Sequence, residues 1–138
     1  MNRDDFRELA QKRLKEAQTL LQQKCYSGAY YLSGYVIECG LKACIAKQTK
    51  EIHFPPEPKI VHDIYVHDIE KLVKSAGLTT TRDKDLKNDP NLAINWTMVK
   101  DWNEQSRYEN YTQAKAQDLY NAISDKKHGV LQWISRHW

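Results

Sequence analysis

The hydrophobic residues of the chain recur at steps of three and four, which predicts helices along most of its length. The first helix is expected from about Asp4 to Gln23, with Asp4 or Asp5 as its N-cap. Its apolar positions form one stripe, so one face of this helix should pack against the rest of the protein while the other meets solvent.

The second helix is expected from Ser27, its predicted N-cap, to about Lys47. It is apolar around much of its circumference, which is typical of a helix in the centre of a bundle. Gly34 and Gly40 each weaken a helix by about 1 kcal/mol relative to alanine. Close packing of neighbouring helices would offset that cost, and we therefore expect close contacts along this helix.

A proline-rich connection follows the second helix, because prolines exclude a regular helix there. A short helix is then predicted from Asp68 to Ala76, with Gly77 at its C-terminal end. The next stretch, residues 78–88, is polar. We expect it to be irregular or at most partly helical.

Asp89 and Pro90 predict the start of a further helix, because a capping residue is followed by proline at the first helical position. This helix is expected to end near Gln105. One last helix is predicted after Thr112, a candidate N-cap, and Gly129 should weaken it locally.

The predicted fold is all-α, an up-and-down antiparallel bundle of four main helices plus one short helix. A length of 138 residues suits a single domain, residues 1–138. Only 5 glycines and 4 prolines interrupt the chain, which agrees with long helices rather than a sheet.

The net charge of +3, from 21 basic and 18 acidic residues, permits binding of RNA or nucleotides without requiring it. The number of cysteines is odd, at three, and the first residues are charged rather than apolar. These features predict reduced thiols in the cytoplasm. No apolar run reaches the roughly 20 residues that span a bilayer, so no membrane partner is expected.

A polar stripe on the second helix is the first candidate site. Tyr31, Tyr35, Glu38 and Lys42 follow one another at steps of four, three and four, and so share one face. A carboxylate in an apolar helix must be paired or reach water. Glu38 could line a polar groove together with Arg107, or it could form an ordinary surface pair with Lys42.

Arg107 is the second candidate. A guanidinium can bind a phosphate through two parallel hydrogen bonds, and the rings of Tyr108 and Tyr111 could stack on a base. The alternative for Arg107 is a salt bridge to Glu38 that joins two helices. The alternative for the two tyrosines is ordinary packing.

The histidines are weak candidates for a metal site, and no metal or cofactor is predicted. His53, His62 and His67 lie near Asp63 and Asp68, but the spacing is not that of two ligands on one helical face. His67 is expected to hydrogen-bond the backbone or to cap its helix.

Three segments of the chain resemble the HEPN family, the higher eukaryotes and prokaryotes nucleotide-binding domain. One is the run from Ala29 to Ala43, in which Glu38 precedes a Leu-Lys pair. Another begins at His67-Asp68, and the third runs from Trp102 to Arg107-Tyr108. The order and spacing of the three segments carry the resemblance, which extends over most of the chain.

The resemblance implies a helical bundle that forms a homodimer, and Trp133 and Trp138 are candidate dimer anchors. Many members of the family are RNases, often toxins paired with a small nucleotidyltransferase antitoxin that can modify a tyrosine near the motif. Tyr111 is the analogue by position. RNase members have an Arg, then four to six residues, then a His. Here the next histidine after Arg107 is His128, which argues against metal-independent RNA cleavage.

The resulting hypothesis is an HEPN-type nucleotide- or RNA-binding protein, the toxin-like partner of a small nucleotidyltransferase, with an incomplete RNase motif. One alternative is a non-catalytic helical module that binds another protein. A second alternative is a metal-independent RNase with an altered catalytic set, so enzymatic activity stays open. The predicted ligand-binding residues are Arg107, Glu38, Tyr108, Tyr111, Lys42 and Tyr35.

Overall fold

The fold is described from a computed structural model, which covers residues 1–52 and 66–138, with side chains for 1–49 and 66–138. The all-α prediction is confirmed, because these ranges contain seven α-helices, one 3₁₀ helix and no strand. In chain order they are α1 (Arg3–Gln22), α2 (Tyr26–Ile52), α3 (Ile69–Ser75), α4 (Thr79–Asn88), α5 (Pro90–Lys100), the 3₁₀ helix (Glu104–Tyr108), α6 (Gln113–Ser124) and α7 (Val130–Ser135).

The N-cap of α1 is not the residue that was predicted. Asn2, and not Asp4 or Asp5, is the N-cap, and its side chain accepts a hydrogen bond from the backbone N–H of Asp5 at 2.9 Å. The Asp5 carboxylate accepts in return from the N–H of Asn2 at 2.9 Å, which completes a capping box. The short turn after α1 then brings α2 back along it.

The prediction that α2 is the central helix is confirmed. It contacts α1, α3, the 3₁₀ helix, α6 and α7, and buried residues lie on all its sides. Ser27 is not the N-cap, because α2 already begins at Tyr26. The Ser27 hydroxyl instead accepts a hydrogen bond from the backbone N–H of Tyr111 at 2.9 Å, which ties the start of α2 to the segment before α6.

Gly34 and Gly40 of α2 lie against neighbouring side chains, as expected. A Cβ on Gly34 would lie 2.2 Å from the ring of Trp102, and one on Gly40 would lie 3.0 Å from a methyl group of Ile134. The missing side chain at position 34 therefore makes room for a buried indole.

The polar stretch expected to be irregular is the helix α4. Its one buried residue is Arg82, which is paired with Glu70 at 2.7 Å and lies 5.1 Å from the ring centre of Trp96. Asp85 accepts a hydrogen bond from the indole N–H of Trp133 at 2.9 Å. Two inward positions of α4 are thus charged residues with distant partners, and Leu86 is its one large apolar residue against the core, so the segment has no apolar stripe by which it could be predicted.

The helix α5 starts as predicted but ends earlier. Asp89 caps it by accepting a hydrogen bond from the N–H of Leu92 at 3.1 Å. It ends at Lys100 rather than near Gln105. The reason is Asn103, whose side chain accepts from the N–H of Gln105 at 2.8 Å and begins the 3₁₀ helix.

The single last helix of the prediction is wrong, because α6 and α7 are separate. Thr112 caps α6 as predicted, accepting from the N–H of Lys115 at 3.2 Å. Gly129 lies before α7, where a Cβ would come within 2.2 Å of the backbone oxygen of Asp125. This close approach of two backbone segments occurs at the break between the helices.

The core is one cluster, with buried side chains from α1, α2, α3, α5, α6 and α7. Trp133 is 1% exposed within it, so the prediction that Trp133 anchors a dimer is wrong. Trp138 is partly buried against the same core. The cysteines are free thiols, of which Cys39 and Cys44 are buried. Among the described residues, no helix is long and apolar enough to cross a bilayer.

Candidate functional site

The acidic residue of α2 lies in the interior. Glu38 is 1% exposed, and its Oε1 accepts a hydrogen bond from Nζ of Lys42 at 2.9 Å. The Lys42 side chain is 12% exposed, so the expected surface pair is in fact a buried pair. Because α2 is covered by its neighbours, the carboxylate meets the requirement of pairing rather than reaching water.

His67 is the second partner of Glu38. Its Nδ1 lies 2.6 Å from Oε1 of Glu38, with the His67 side chain 41% exposed. The expectation that His67 caps its helix or bonds the backbone is wrong. Asp68 caps α3 instead, by accepting from the N–H of Lys71 at 2.9 Å. The imidazole is therefore free to join α2 to the segment that precedes α3.

The 3₁₀ helix adds Glu104 and Arg107. Oε2 of Glu104 lies 3.5 Å from Nε2 of His67, and Oε1 lies 3.7 Å from Nη2 of Arg107. Glu104 thus lies between a histidine and an arginine. The salt bridge considered between Arg107 and Glu38 is not formed, since Arg107 pairs with Glu104 while Glu38 pairs with Lys42 and His67.

Two tyrosines lie beside the guanidinium of Arg107. Its Cζ is 4.8 Å from the ring centre of Tyr108, which is 71% exposed. On the other side is Tyr31 of α2. Burial raises the pKa of Tyr31, and the positive charge and hydrogen bond of Arg107 act in the opposite direction. Arg107 therefore contacts the exposed ring of Tyr108 and also interacts with Tyr31 of α2.

The remaining predicted residues lie further along. Burial raises the pKa of Tyr35 to about 12, and its ring centre is 6.2 Å from that of Tyr31. Tyr111 stacks on Tyr30 with ring centres 3.7 Å apart, and its hydroxyl donates to Glu109 at 2.7 Å. Tyr111 is therefore engaged in packing, whereas Tyr35 borders the polar site.

The connected set is named here the Arg107 cluster, and it consists of Tyr31, Glu38, Lys42, His67, Glu104, Arg107 and Tyr108. Sequence reasoning did not select His67 or Glu104 as site residues. The three-residue step from Glu104 to Arg107 was a usable signal, because such residues face each other on a helical turn. Nothing local connects His67 to either of them.

The described residues hold no group of three or more His, Cys, Asp or Glu side chains arranged to bind a metal ion. The candidates His53, His62 and Asp63 lie outside the described residues. His128 belongs to a different part of the fold, where its Nδ1 lies 2.8 Å from Oδ2 of Asp89.

Comparison with models of known protein families, with curated proteins and with solved structures finds no match to this chain. The Arg107 cluster is therefore assessed by the chemistry of its own residues. It offers an exposed guanidinium, an exposed aromatic ring and an imidazole close together. These are groups that bind phosphates and nucleobases.

Proposed function

We propose that the chain is an HEPN-type protein that binds nucleotide or RNA at the Arg107 cluster. The observation that carries this proposal is the stacking of the Arg107 guanidinium on the exposed ring of Tyr108, at 4.8 Å. A guanidinium binds a phosphate through two hydrogen bonds, and an exposed ring can stack on a base. Adjacent placement of the two would let one nucleotide unit engage both.

The state of Arg107 supports this proposal. Its side chain is 45% exposed, and its ion pair with Glu104 is long, at 3.7 Å. Exposed pairs of this kind contribute little to stability. A phosphate could therefore replace Glu104 as the partner of Arg107 at little cost to the folded state. The buried pairs of Glu38 with Lys42 and His67 provide a fixed base beneath it.

The wider proposal follows the motif order described for the sequence. It includes an HEPN-like up-and-down bundle of four main helices, a cytoplasmic homodimer and a toxin-like role beside a small nucleotidyltransferase. Ligand binding at Arg107 does not depend on these features, and it can be tested on the purified chain alone.

Removal of the Arg107 side chain should weaken binding about tenfold or more, because it deletes charge-assisted hydrogen bonds. The dissociation constant of a fluorescein-labelled oligouridylate would be measured by anisotropy for wild type and Arg107→Ala. ATP would be tested by the rise in melting temperature that ligand binding produces. Circular dichroism would check that helicity is unchanged.

Arg136→Ala is the matched control. Arg136 is exposed after α7, which packs against Gly40 of α2. Gly40 is two positions from Glu38, or about 200° around a helix, so Arg136 lies on the opposite side of α2 from the cluster. Equal affinities for wild type, Arg107→Ala and Arg136→Ala would refute the proposed site.

A non-catalytic module that binds another protein is the alternative. It is favoured by Ile94 and Met98, which are 58% and 41% exposed along a groove of about 650 Å³ between α5 and α6. In that case the Arg107 cluster would only brace α2 against its neighbours. Glu38→Ala would then lower the melting temperature, and neither ATP nor oligouridylate would raise it.

A metal-independent RNase with an altered catalytic set is the second alternative. The position of His67, next to Glu104 and near Arg107, favours it, because RNA cleavage without metal needs a proton acceptor close to the phosphate. Incubation of the protein with RNA in the presence of a chelator tests this activity. Absence of cleavage that depends on Arg107 would exclude it.

A further inference from the structure

Glu104 lies between the imidazole of His67 and the guanidinium of Arg107. One carboxylate oxygen lies 3.5 Å from Nε2 of His67 and the other lies 3.7 Å from Nη2 of Arg107. Both distances exceed those of good charge-assisted hydrogen bonds, about 2.7–2.9 Å. The carboxylate therefore bridges the two groups without binding either one tightly.

We propose that His67 and Arg107 form a phosphate subsite, and that Glu104 occupies this subsite until a ligand phosphate displaces it. This inference rests on the proposed function, since it specifies how the nucleotide or RNA is bound there. The ligand is a phosphate group, whether of a free nucleotide or of an RNA backbone.

The chemistry of the bridge matches that of a phosphate. A phosphate, like a carboxylate, presents two oxygens of shared negative charge, and a planar guanidinium binds either one. Glu104 is 34% exposed and lies in the first turn of a short 3₁₀ helix, so its side chain can turn into solvent. Displacement then exchanges two long contacts for two that the ligand can shorten.

His67 contributes the second donor. Its Nδ1 is occupied by Glu38, which leaves Nε2 directed to the subsite. The charged groups around the ring are, among the described residues, Glu38 and Lys42 of α2, Glu104 and Arg107 of the 3₁₀ helix, and the adjacent Asp68. An imidazole nitrogen that carries a proton can donate a hydrogen bond to a phosphate oxygen, so His67 and Arg107 could hold one phosphate between them.

The first test is Glu104→Gln compared with Glu109→Gln. Glu109 is a second glutamate close to Glu104 in sequence, but its carboxylate accepts a hydrogen bond from the hydroxyl of Tyr111. Both variants remove one negative charge from the protein, but only Glu104→Gln removes that charge from the subsite. We expect Glu104→Gln to bind oligouridylate and ATP about tenfold more tightly, and Glu109→Gln to differ from wild type less than about twofold.

The second test is His67→Asn compared with His128→Asn. An asparagine amide can retain the bond to Glu38, while the ring Nε2 is lost. His67→Asn should bind oligouridylate about tenfold more weakly than wild type, and His128→Asn should differ from wild type by less than about twofold. Thermal melts of each variant would establish that it is folded.

The outcomes separate this inference from the proposed function. If wild type binds and Arg107→Ala does not, while the two glutamine variants gain equally, the subsite is refuted and the binding site stands. If Glu104→Gln binds where wild type does not, the subsite is supported. If neither wild type nor Glu104→Gln binds oligouridylate or ATP, both proposals fail. A response to ATP alone or to oligouridylate alone identifies the source of the phosphate.

Discussion

In the part of the chain that the structure describes, His67 and His128 each pair with a carboxylate through Nδ1, and the two pairs differ in their surroundings. Nδ1 of His67 lies 2.6 Å from Glu38, and Nδ1 of His128 lies 2.8 Å from Asp89. The carboxylate is 1% exposed in the first pair and 31% exposed in the second. The first pair leaves one nitrogen of His67 available to a ligand. The groups of the second pair are engaged in hydrogen bonds that maintain the fold.

The second pair closes helix ends. Asp89 caps α5 through the N–H of Leu92, and the backbone of His128 bonds Asp125 and Asn95, each at 2.8 Å. In the first pair Glu38 caps no helix. His67 instead directs its second nitrogen to Glu104 and the neighbouring Arg107. Placement next to an exposed guanidinium, rather than the pair itself, suggests function.

Glu38→Ala should give the largest effect on stability. It leaves the ammonium of Lys42, which is 12% exposed, without its partner and opens a space in α2. Loss of one partner of a buried pair costs about 3 kcal/mol in the free energy of unfolding. Urea denaturation monitored by circular dichroism would measure it. A loss as small as that of a surface substitution would mean that Lys42 and His67 find water without Glu38.

Asp89→Ala should have a smaller effect, because it removes the cap of α5 and the pair with His128 from a more exposed place. We expect the melting temperature to fall by a few degrees, as for the loss of other helix caps. Oligouridylate binding should be unchanged. A change in affinity as large as that of Arg107→Ala would contradict the division between the two pairs.

The smallest expected effect is in the pH dependence of stability, and it concerns the pair of Asp89 with His128. The hydrogen bond from His128, followed by the backbone bond from Leu92, lowers the pKa of Asp89 from its ordinary value of 3.8. A carboxyl with a lowered pKa stabilises the folded state above that ordinary value, and the contribution is lost as the pH falls through the lowered pKa. Asp89→Asn, which retains a capping side chain, should therefore be slightly less stable than wild type near neutral pH and equally stable in strong acid.

The parts of the fold that the sequence predicted are those governed by local rules. Apolar periodicity predicted α1, α2 and α3, and the Asp89-Pro90 step predicted the start of α5. The helix α4 was missed because Arg82 is buried by a partner in another helix, Glu70. The break before α7 was missed because it depends on backbone contacts of Gly129.

The residues of the candidate site also divide into those that local patterns predicted and those that they did not. Glu38 and Lys42 were predicted from a charge in an apolar helix, but their pair was expected at the surface and is buried. Arg107 was predicted from its chemistry and its neighbouring tyrosine. The contact of His67 with Glu104 could not be predicted, because it joins segments that are far apart in sequence and only the packing around α2 brings them together.

The absence of a side chain at Gly34 has a consequence beyond packing. The Trp102 ring lies where a Cβ would be, and Trp102 stands directly before the 3₁₀ helix that carries Glu104 and Arg107. A methyl group at position 34 would push the indole outward and shift the start of that helix with it. Gly34, which has no side chain, thus helps to set the position of Arg107 on the surface.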